Sequence, residues 1–172
     1  MTGRGENQPF IMIQGQQTDS TESDDNAADI LLVEDDRDDA EFILRALHNC
    51  GRALRVEHVT DGVEALDYIA SARTSAQQHT QTLPRLILLD LRLNRMQGMH
   101  VLRVLKSDER TQRVPIVVLT ASRLNIELME SYKLGVNSYV IKPTDAKKFQ
   151  EVVVGIAHYW LTVNESAPRG GV

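Results

Sequence analysis

Residues 30 to 36 read Ile-Leu-Leu-Val-Glu-Asp-Asp, a short apolar run that passes directly into carboxylates. Four consecutive apolar residues are typical of a strand that is buried on both faces, as strands are in parallel sheets. Residues 86 to 90, Leu-Ile-Leu-Leu-Asp, repeat the pattern of an apolar strand that ends in a carboxylate. The two stretches predict a buried parallel sheet with acidic side chains at the carboxyl ends of its strands.

Five strands and five helices are predicted from such patterns. The strands, each a short apolar or alternating run, are 30–33, 54–59, 86–89, 116–119 and 139–141. The helices are marked by apolar residues at helical spacing and by capping residues. The first helix has Ala40, Ile43, Leu44 and Leu47 before Gly51, and the second has Ala65, Leu66 and Ile69 after the capping pair Asp61 and Glu64. The third has Val101, Leu102 and Leu105, the fourth spans 124–134 before Gly135, and the fifth has Phe149, Val152, Val153, Ile156, Ala157 and Trp160 after Thr144 or Asp145. A long polar connection, 71–84, precedes the third strand. Because strand and helix alternate five times, we predict an α/β fold with a five-stranded, doubly wound parallel sheet flanked by five helices.

The length of 172 residues suits one domain of ordinary size with tails. We expect a flexible N-terminal tail at 1–27, one domain at 28–163 and a C-terminal tail at 164–172. The first segment is polar and acidic apart from the apolar run 10–13. Such a composition buries too little surface to offset chain entropy. Met12 leaves open a later natural start.

Composition and charge exclude several classes of function. The formal charge is −5, and residues 1–27 hold five acidic residues against one basic residue, so the rest of the chain is nearly neutral. Without a basic stripe, direct nucleic-acid binding is disfavoured. The apolar runs fall far short of the roughly 20 residues that cross a bilayer, so we expect a cytoplasmic protein that does not bind membranes. Cys50, the single cysteine, is interpreted as a structural thiol, and the five histidines lack the paired spacing of a zinc site.

Polar side chains follow four of the predicted strands. Glu34 and Asp35 follow the first, Asp90 the third, Thr120 the fourth and Lys142 the fifth. In an open parallel sheet, ligands bind beyond the carboxyl ends of the strands, near the point where strand order reverses. We therefore expect three carboxylates, a hydroxyl and an ammonium to share one cleft.

Clustered carboxylates repel one another, so a divalent cation is the expected occupant of this cleft. Magnesium prefers hard oxygen ligands and keeps several waters. We predict Asp35 and Asp90 as direct ligands, Glu34 as a ligand through water, and the main-chain carbonyl of Arg92 as a further donor. A neighbouring acid, Asp39, is interpreted with Asp36 and Asp38 as a first-turn helix acid favoured by the helix dipole and not as a ligand.

Asp90 is also predicted to be a nucleophile, because carboxylates accept phosphoryl groups covalently. A transferring phosphoryl group spreads negative charge over its oxygens, and catalysis is mostly placement and stabilisation of that charge. Lys142 would supply a positive charge and Thr120 a hydroxyl donor, with main-chain amides near Leu91 and Ala121 available for the other oxygens.

A conformational switch is a further hypothesis. Thr120 drawn toward a new phosphoryl group would vacate space that the ring of Tyr139 could fill. The simpler interpretations are that Thr120 caps the following helix and that Tyr139 is a packing residue.

Four stretches together resemble the response-regulator receiver family, which includes the chemotaxis regulators: 30–36, 86–90, 117–122 (Val-Val-Leu-Thr-Ala-Ser) and 139–143 (Tyr-Val-Ile-Lys-Pro). The resemblance covers about residues 29 to 163. It implies a flavodoxin-like sheet of order 2-1-3-4-5 and phosphoryl transfer from a kinase phosphohistidine to Asp90. It also implies slow hydrolysis of the phosphoryl group, a Mg²⁺ site and a cis peptide before Pro143.

The long connection before Leu86 and the ending 159–163 (Tyr-Trp-Leu-Thr-Val) look like a narrower group, the stand-alone regulators of bacterial phytochrome histidine kinases. This narrower resemblance implies a bacteriophytochrome as kinase partner and a homodimer through the fourth helix, fifth strand and fifth helix. Trp160 is interpreted as a core anchor. The apolar residues off its helical face would exceed what one monomer covers: Val154, Tyr159, Leu161 and Val163.

Without an output domain, the signal would pass by contact with another protein or onward to a histidine phosphotransfer protein. The sequence departs from the usual family pattern at Asn94, where proline is common, and at Gln97, where an acid often precedes Gly98. These changes put the loop after Asp90 in question.

Two other functions compete with this interpretation. A magnesium-dependent phosphatase with an aspartate nucleophile would also use a carboxylate at a strand end. Such enzymes usually carry a second acid two residues after the nucleophile, where this chain has Arg92. A degenerate receiver that only binds a partner is the other alternative, and the presence of all the acceptor residues disfavours it.

Overall fold

A computed structural model describes residues 28–74 and 83–165, without the side chains of 73 and 74. Strands and helices alternate as the sequence predicts, in the order β1 Ile30–Val33, α1 Arg37–His48, β2 Val56–Val59, α2 Gly62–Thr74, β3 Leu86–Leu89, α3 Gly98–Ser107, β4 Ile116–Thr120, α4 Asn125–Lys133, β5 Ser138–Ile141 and α5 Ala146–His158, followed by a π-helical turn at Tyr159–Val163. The predicted tail at 1–27 and most of the one at 164–172 lie outside the described residues.

The five strands form one parallel sheet in the order β2-β1-β3-β4-β5, which confirms the predicted fold class and strand order. Every residue of β1, β3 and β4 is buried, whereas β2 and β5 are partly exposed edge strands. The order reverses between β1 and β3, so the cleft at the carboxyl ends of these two strands is the expected ligand site.

Alternate residues of the central strands point to opposite faces of the sheet and build two separate cores. Leu31 and Leu89 belong to the core under α2 and α3, whereas Leu32 and Leu88 belong to the core under α1 and α5. The rings of Phe42 and Phe149 stack at a centroid distance of 4.8 Å and join α1 to α5. Both faces of the sheet are therefore covered, as the uninterrupted apolar runs require.

Acidic side chains cap three of the helices, and at α1 the cap corrects the interpretation, because Asp36 is the N-cap and not a first-turn acid. The Asp36 carboxylate accepts hydrogen bonds from the amides of Asp38 and Asp39 at the start of α1. Asp61 accepts from the amide of Glu64 at the start of α2, and Asp145, not Thr144, caps α5. These oxygens bind amides that no residue within the helix can satisfy.

Two predicted helix ends were misplaced. Gly51 adopts a left-handed conformation, as expected, but α1 already ends at His48. The predicted polar connection at 71–84 begins too early, because α2 continues to Thr74 and includes the first residues of that segment. Residues 75–82 of that segment lie outside the described residues.

At the end of α5, Leu161 was wrongly predicted to be a surplus surface residue. It continues the four-residue spacing of Phe149, Val153 and Ala157 and is buried with them. Trp160 is only partly buried and packs at the edge of that core, with its ring edge-to-face to Tyr159. Tyr159 and Val163 are exposed, as predicted.

The expected cis peptide before Pro143 is not found, since the described backbone contains no cis peptide bond. Within the described ranges, no helix combines the length and the apolar character that a membrane span requires.

Asn137, in the turn before β5, connects three parts of the chain. Its Oδ1 accepts from the amide of Ile116 at 2.9 Å and from the ammonium of Lys106 at 2.9 Å. The main-chain amide of Asn137 donates to the carbonyl of Ile116 at 3.0 Å. The side chain thus replaces a missing strand neighbour at the start of β4 and fixes where β4 and β5 begin to pair.

We predict that Asn137→Ala lowers the free energy of unfolding by about 1–3 kcal/mol, because the Ile116 amide and the Lys106 ammonium lose an acceptor. Urea unfolding followed by circular dichroism measures the effect. Asn137→Asp keeps the acceptor oxygen and should lose clearly less. Equal losses in the two variants would contradict the assigned role of Oδ1.

Candidate functional site

The ammonium of Lys142 lies among three carboxylates at the carboxyl end of the sheet. Its Nζ is 2.7 Å from Glu34 Oε2, 2.7 Å from Asp39 Oδ2 and 2.8 Å from Asp90 Oδ2. Glu34 directly follows β1, Asp90 directly follows β3 and Lys142 directly follows β5, so parallel strands bring them to one edge. The geometry therefore unites three of the predicted site residues.

The group is largely shielded from water. Glu34, Asp90 and Lys142 expose 1%, 7% and 8% of their surface. Burial raises the pKa of Glu34 to about 7, although the hydrogen bond and charge of Lys142 oppose the shift. Burial would lower the pKa of Lys142, but its hydrogen bonds with Asp39, Asp90 and Glu34 outweigh burial and raise that pKa. The two shifts differ in cause, because burial dominates at Glu34 whereas the hydrogen bonds with the three acids together dominate at Lys142.

Asp39 is the site residue that sequence reasoning missed. It was interpreted only as a first-turn helix acid, yet its half-buried carboxylate binds Lys142, 103 residues further along the chain. Asp38, which precedes it in the same helical turn, is exposed. No local pattern distinguishes these two acids, because the distinction depends on where β5 delivers Lys142.

Main-chain amides donate hydrogen bonds to the carboxylates of Glu34 and Asp90. Asp90 Oδ1 accepts from the amide of Arg92 at 3.1 Å, and Glu34 Oε1 accepts from the amide of Asp36 at 3.3 Å. The ring Nε2 of His58, predicted to be a packing or surface residue, lies 2.9 Å from the main-chain oxygen of Glu34. The first two contacts leave each carboxylate with one oxygen on the protein backbone and the other on Lys142.

The donor chemistry fits a divalent cation, although the described residues contain no ready-made group of three metal-ligating side chains. Glu34 and Asp90 bind Lys142 in this arrangement, and Asp35, the residue after Glu34, is half-buried. One ammonium cannot neutralise Glu34, Asp39 and Asp90 together. The excess of oxygen-based negative charge is what Mg²⁺ prefers.

Thr120 and Tyr139 are linked through Ser122, a residue that the sequence analysis did not single out. Thr120 is buried, and its Oγ1 accepts from the Ser122 amide at 3.3 Å. The Tyr139 hydroxyl donates to the Ser122 carbonyl at 3.4 Å, and Arg92 Nη2 donates to the Ser122 hydroxyl at 3.3 Å. The loop after β4 thus connects the Thr120 hydroxyl with an aromatic ring on β5.

The loop after Asp90 is closed despite its unusual residues Asn94 and Gln97. The amide of Gly98 donates to the carbonyl of Leu91 at 3.0 Å. Arg95 forms an ion pair of 2.9 Å with Asp61, which caps α2. Gln97 is the N-cap of α3, and its side chain makes no capping hydrogen bond.

Gly98 is required by close packing and not by its backbone angles. A Cβ added at this position would lie 2.0 Å from the carbonyl oxygen of Asp90 and 2.8 Å from the Cα of Leu91. Both are backbone atoms, which cannot rotate away. The first residue of α3 therefore presses directly on the residue that carries the candidate nucleophile.

With fold and site established, comparison with known proteins gives the class. The model of the response regulator receiver domain matches residues 30–154, so the chain belongs to that family and to two-component signalling proteins. The resemblance noted in the sequence is thereby confirmed.

Among the individual relatives, the chain is 41% identical over 137 residues to the probable methanogenesis regulatory protein FilR2 of Methanothrix harundinacea, covering 80% of this chain and 86% of that protein. It is similar to the phosphorylated cyanobacterial phytochrome response regulator RcpA, with a TM-score of 0.74, 35% identity, and coverage of 83% of this chain and 99% of that one. The Mn²⁺-bound form of Rcp1, a response regulator of Synechocystis, gives a TM-score of 0.72 at 30% identity with the same coverages. Phytochrome-associated regulators are thus among its relatives.

We predict that Gly98→Ala lowers the free energy of unfolding by about 1–3 kcal/mol, because the methyl group must displace backbone at Asp90. Gly155→Ala is the matched control, since a Cβ there meets no atom within 4 Å. In the interior of α5 it should stabilise by about 0.5–1 kcal/mol. Urea unfolding of both variants measures the difference, and a neutral Gly98→Ala would contradict the close approach.

Proposed function

We propose that this protein is a single-domain response regulator that accepts one phosphoryl group from a histidine kinase onto Asp90 in a magnesium-dependent reaction. The observation that carries the proposal is the buried pair of Asp90 and Lys142, at 2.8 Å. A carboxylate nucleophile needs a fixed positive charge where the charge of the phosphoryl oxygens develops.

In the proposed reaction, a bond forms between an Asp90 carboxylate oxygen and phosphorus while the phosphorus–nitrogen bond of the kinase phosphohistidine breaks. Lys142 neutralises one phosphoryl oxygen and the Thr120 hydroxyl donates to another, with the amides of Leu91 and Ala121 for the remaining contacts. Hydrolysis of the acyl phosphate later returns Asp90 to a carboxylate. One phosphoryl group per chain is transferred, so the protein is an acceptor and not a multiple-turnover enzyme.

The proposed Mg²⁺ would bind directly to Asp35 and Asp90, through water to Glu34, and to the main-chain carbonyl of Arg92. When bound, it would supply positive charge that offsets repulsion between the carboxylates and the incoming phosphoryl group. The charge of three acids around one ammonium supports this part of the proposal.

The kinase partner is proposed to be a bacteriophytochrome, in a cytoplasmic light-signalling pathway. Similarity to phytochrome response regulators supports this choice. The response is proposed to pass by altered protein contacts, or by onward transfer to a histidine phosphotransfer protein. Neither nucleic acid nor a membrane is a proposed partner.

The proposed output surface is the face formed by α4, β5 and α5. A groove of about 380 Å³ on this face is lined by Leu128, Tyr139 and Ile141, among others. Leu124 and Ile141 expose 50% and 39% of their surface. We propose that this face forms a homodimer, and that movement of Thr120 and Tyr139 after phosphorylation changes the face.

The alternative function, a phosphatase with an aspartate nucleophile, would need a second acid two residues after Asp90. Arg92 stands there; its amide binds Asp90, and its guanidinium binds Ser122. A degenerate receiver is disfavoured because Asp90 and Lys142 are in register with Glu34.

We predict that acetyl phosphate adds one phosphoryl group per chain in the presence of Mg²⁺ and none in its absence, as measured by intact mass. Asp90→Asn should gain none, and Asp39→Asn should still gain one. No gain by the folded protein under any condition would reject the acceptor function, and sustained turnover of small phosphate esters would favour the phosphatase.

We also predict that Ile141→Glu raises the dimer dissociation constant at least about tenfold, because a charge replaces about 1.4 kcal/mol or more of apolar burial. Sedimentation velocity over a concentration series measures the constant. Gln112→Glu, an exposed substitution before β4, is the control for added charge. A monomer at all concentrations, or equal effects of both substitutions, would argue against this interface.

A further inference from the structure

Glu127 carries a buried oxygen without a partner. It lies in the first turn of α4, and among residues 28–74 and 83–165 its Oε2 is the side-chain atom that is enclosed by protein but makes no hydrogen bond. A buried carboxylate oxygen that lacks a donor is unfavourable, so a native structure retains one only where something compensates for it. The position of Glu127 therefore requires an explanation.

The hydrogen-bond donors near Glu127 limit which group could serve as a partner for its Oε2. The Ser131 hydroxyl, one turn later in α4, already donates to the main-chain oxygen of Glu127 at 2.7 Å. The hydroxyl of Tyr139 makes only a long hydrogen bond, 3.4 Å to the carbonyl of Ser122, whereas hydroxyl donors usually approach to about 2.7–2.8 Å. Glu127 Oε2 is thus an acceptor without a donor, and the Tyr139 hydroxyl is a donor with only a long hydrogen bond.

The two groups are close enough to interact electrostatically. Burial raises the pKa of the Tyr139 hydroxyl first, and the negative charge of Glu127 raises that pKa further. Asp90 adds to the shift, whereas the hydrogen bond to Ser122 and the charge of Arg92 oppose it. The charge of Glu127 therefore acts on the Tyr139 hydroxyl.

We propose that Glu127 is a positioning residue for Tyr139, whose hydroxyl alternates between the Ser122 carbonyl and Glu127 Oε2. The inference rests on the proposed function in one respect: it gives the Thr120–Tyr139 switch a second, defined position. Two acceptors that compete for one hydroxyl would give the ring two positions, so a small change at either acceptor would shift its population.

Ser122 connects this balance to Asp90. Its amide donates to Thr120 Oγ1 at 3.3 Å, while its carbonyl accepts from Tyr139. If Thr120 turns toward a phosphoryl group, the Ser122 amide loses this acceptor and the peptide that carries the carbonyl is free to shift. The strength of the hydrogen bond from the Tyr139 hydroxyl to the Ser122 carbonyl would then change, whereas the strength of the hydrogen bond to Glu127 would not. The population of Tyr139 would shift accordingly.

Arg92 is an alternative partner for Glu127 Oε2. Its guanidinium bonds the Ser122 hydroxyl, and its charge reaches Tyr139. An ion pair between Arg92 and Glu127 would satisfy the same oxygen and leave Tyr139 without a second acceptor. The experiment below must separate the two arrangements.

The test measures the χ1 populations of Tyr139 by NMR couplings in protein labelled at tyrosine, with the signal assigned by its loss in Tyr139→Phe. Glu127→Met removes the acceptor at similar size, and Glu127→Gln retains one acceptor oxygen. Glu130→Met, on the exposed side of the same helix, controls for the lost charge. Urea unfolding establishes that each variant is folded.

We expect Glu127→Met to shift the Tyr139 population toward Ser122 by about fivefold, the effect of losing one net hydrogen bond. Glu127→Gln should restore most of the wild-type distribution, and Glu130→Met should leave it unchanged. Unchanged populations in Glu127→Met, or the same shift on replacing Arg92 by Met, would overturn the proposal. The measurement needs no phosphorylation, so it can fail while phosphate gain by mass succeeds, or the reverse.

Discussion

The ammonium of Lys142 is shared by three carboxylates that come from separate parts of the chain, after β1, within α1 and after β3. Each charge would be costly to bury alone, and removing one partner of a buried ion pair typically destabilises by about 3–5 kcal/mol. The parallel sheet makes the arrangement possible, because its strands end at one edge. In turn, the arrangement constrains the sheet, since a shift of β5 by one residue would turn Lys142 away from the acids. Fold and site therefore depend on the same register.

The loops around this charged centre differ in how firmly they are held. On one side of Asp90, the proposed nucleophile, Gly98 packs closely against the backbone of Asp90 and Leu91, and Arg95 forms an ion pair with Asp61. Across the cleft, Ser122 is connected to Thr120 and Tyr139 by hydrogen bonds of 3.3 and 3.4 Å, which are long. Close packing on one side and long hydrogen bonds on the other are what the proposed function requires, namely a fixed acceptor residue and a neighbouring loop that can change.

The sequence predicts this fold well because β1 and β3 are uninterrupted apolar runs, which suit only strands covered on both faces. Asp90 and Lys142 could be placed for the same reason, since a residue that directly follows a parallel strand has a known edge. Asp39 and Ser122 could not be found, because their roles depend on contacts with residues far away in the chain. Leu161 was misjudged since the face of α5 was drawn through Trp160, whereas the buried stripe runs at four-residue intervals from Phe149. Local spacing thus located strand ends but not the partners that meet across the cleft.

The central claim is that Asp90 is the residue that becomes phosphorylated, and reduction of the acyl phosphate tests it most directly. Borohydride converts a phosphorylated aspartate into homoserine with release of phosphate, leaving a permanent mass change that peptide sequencing by mass spectrometry can locate. The account predicts homoserine at position 90 after treatment with acetyl phosphate and Mg²⁺, and at no other aspartate. Homoserine at Asp35 or Asp39 instead, with Asp90 unmodified, would contradict the account.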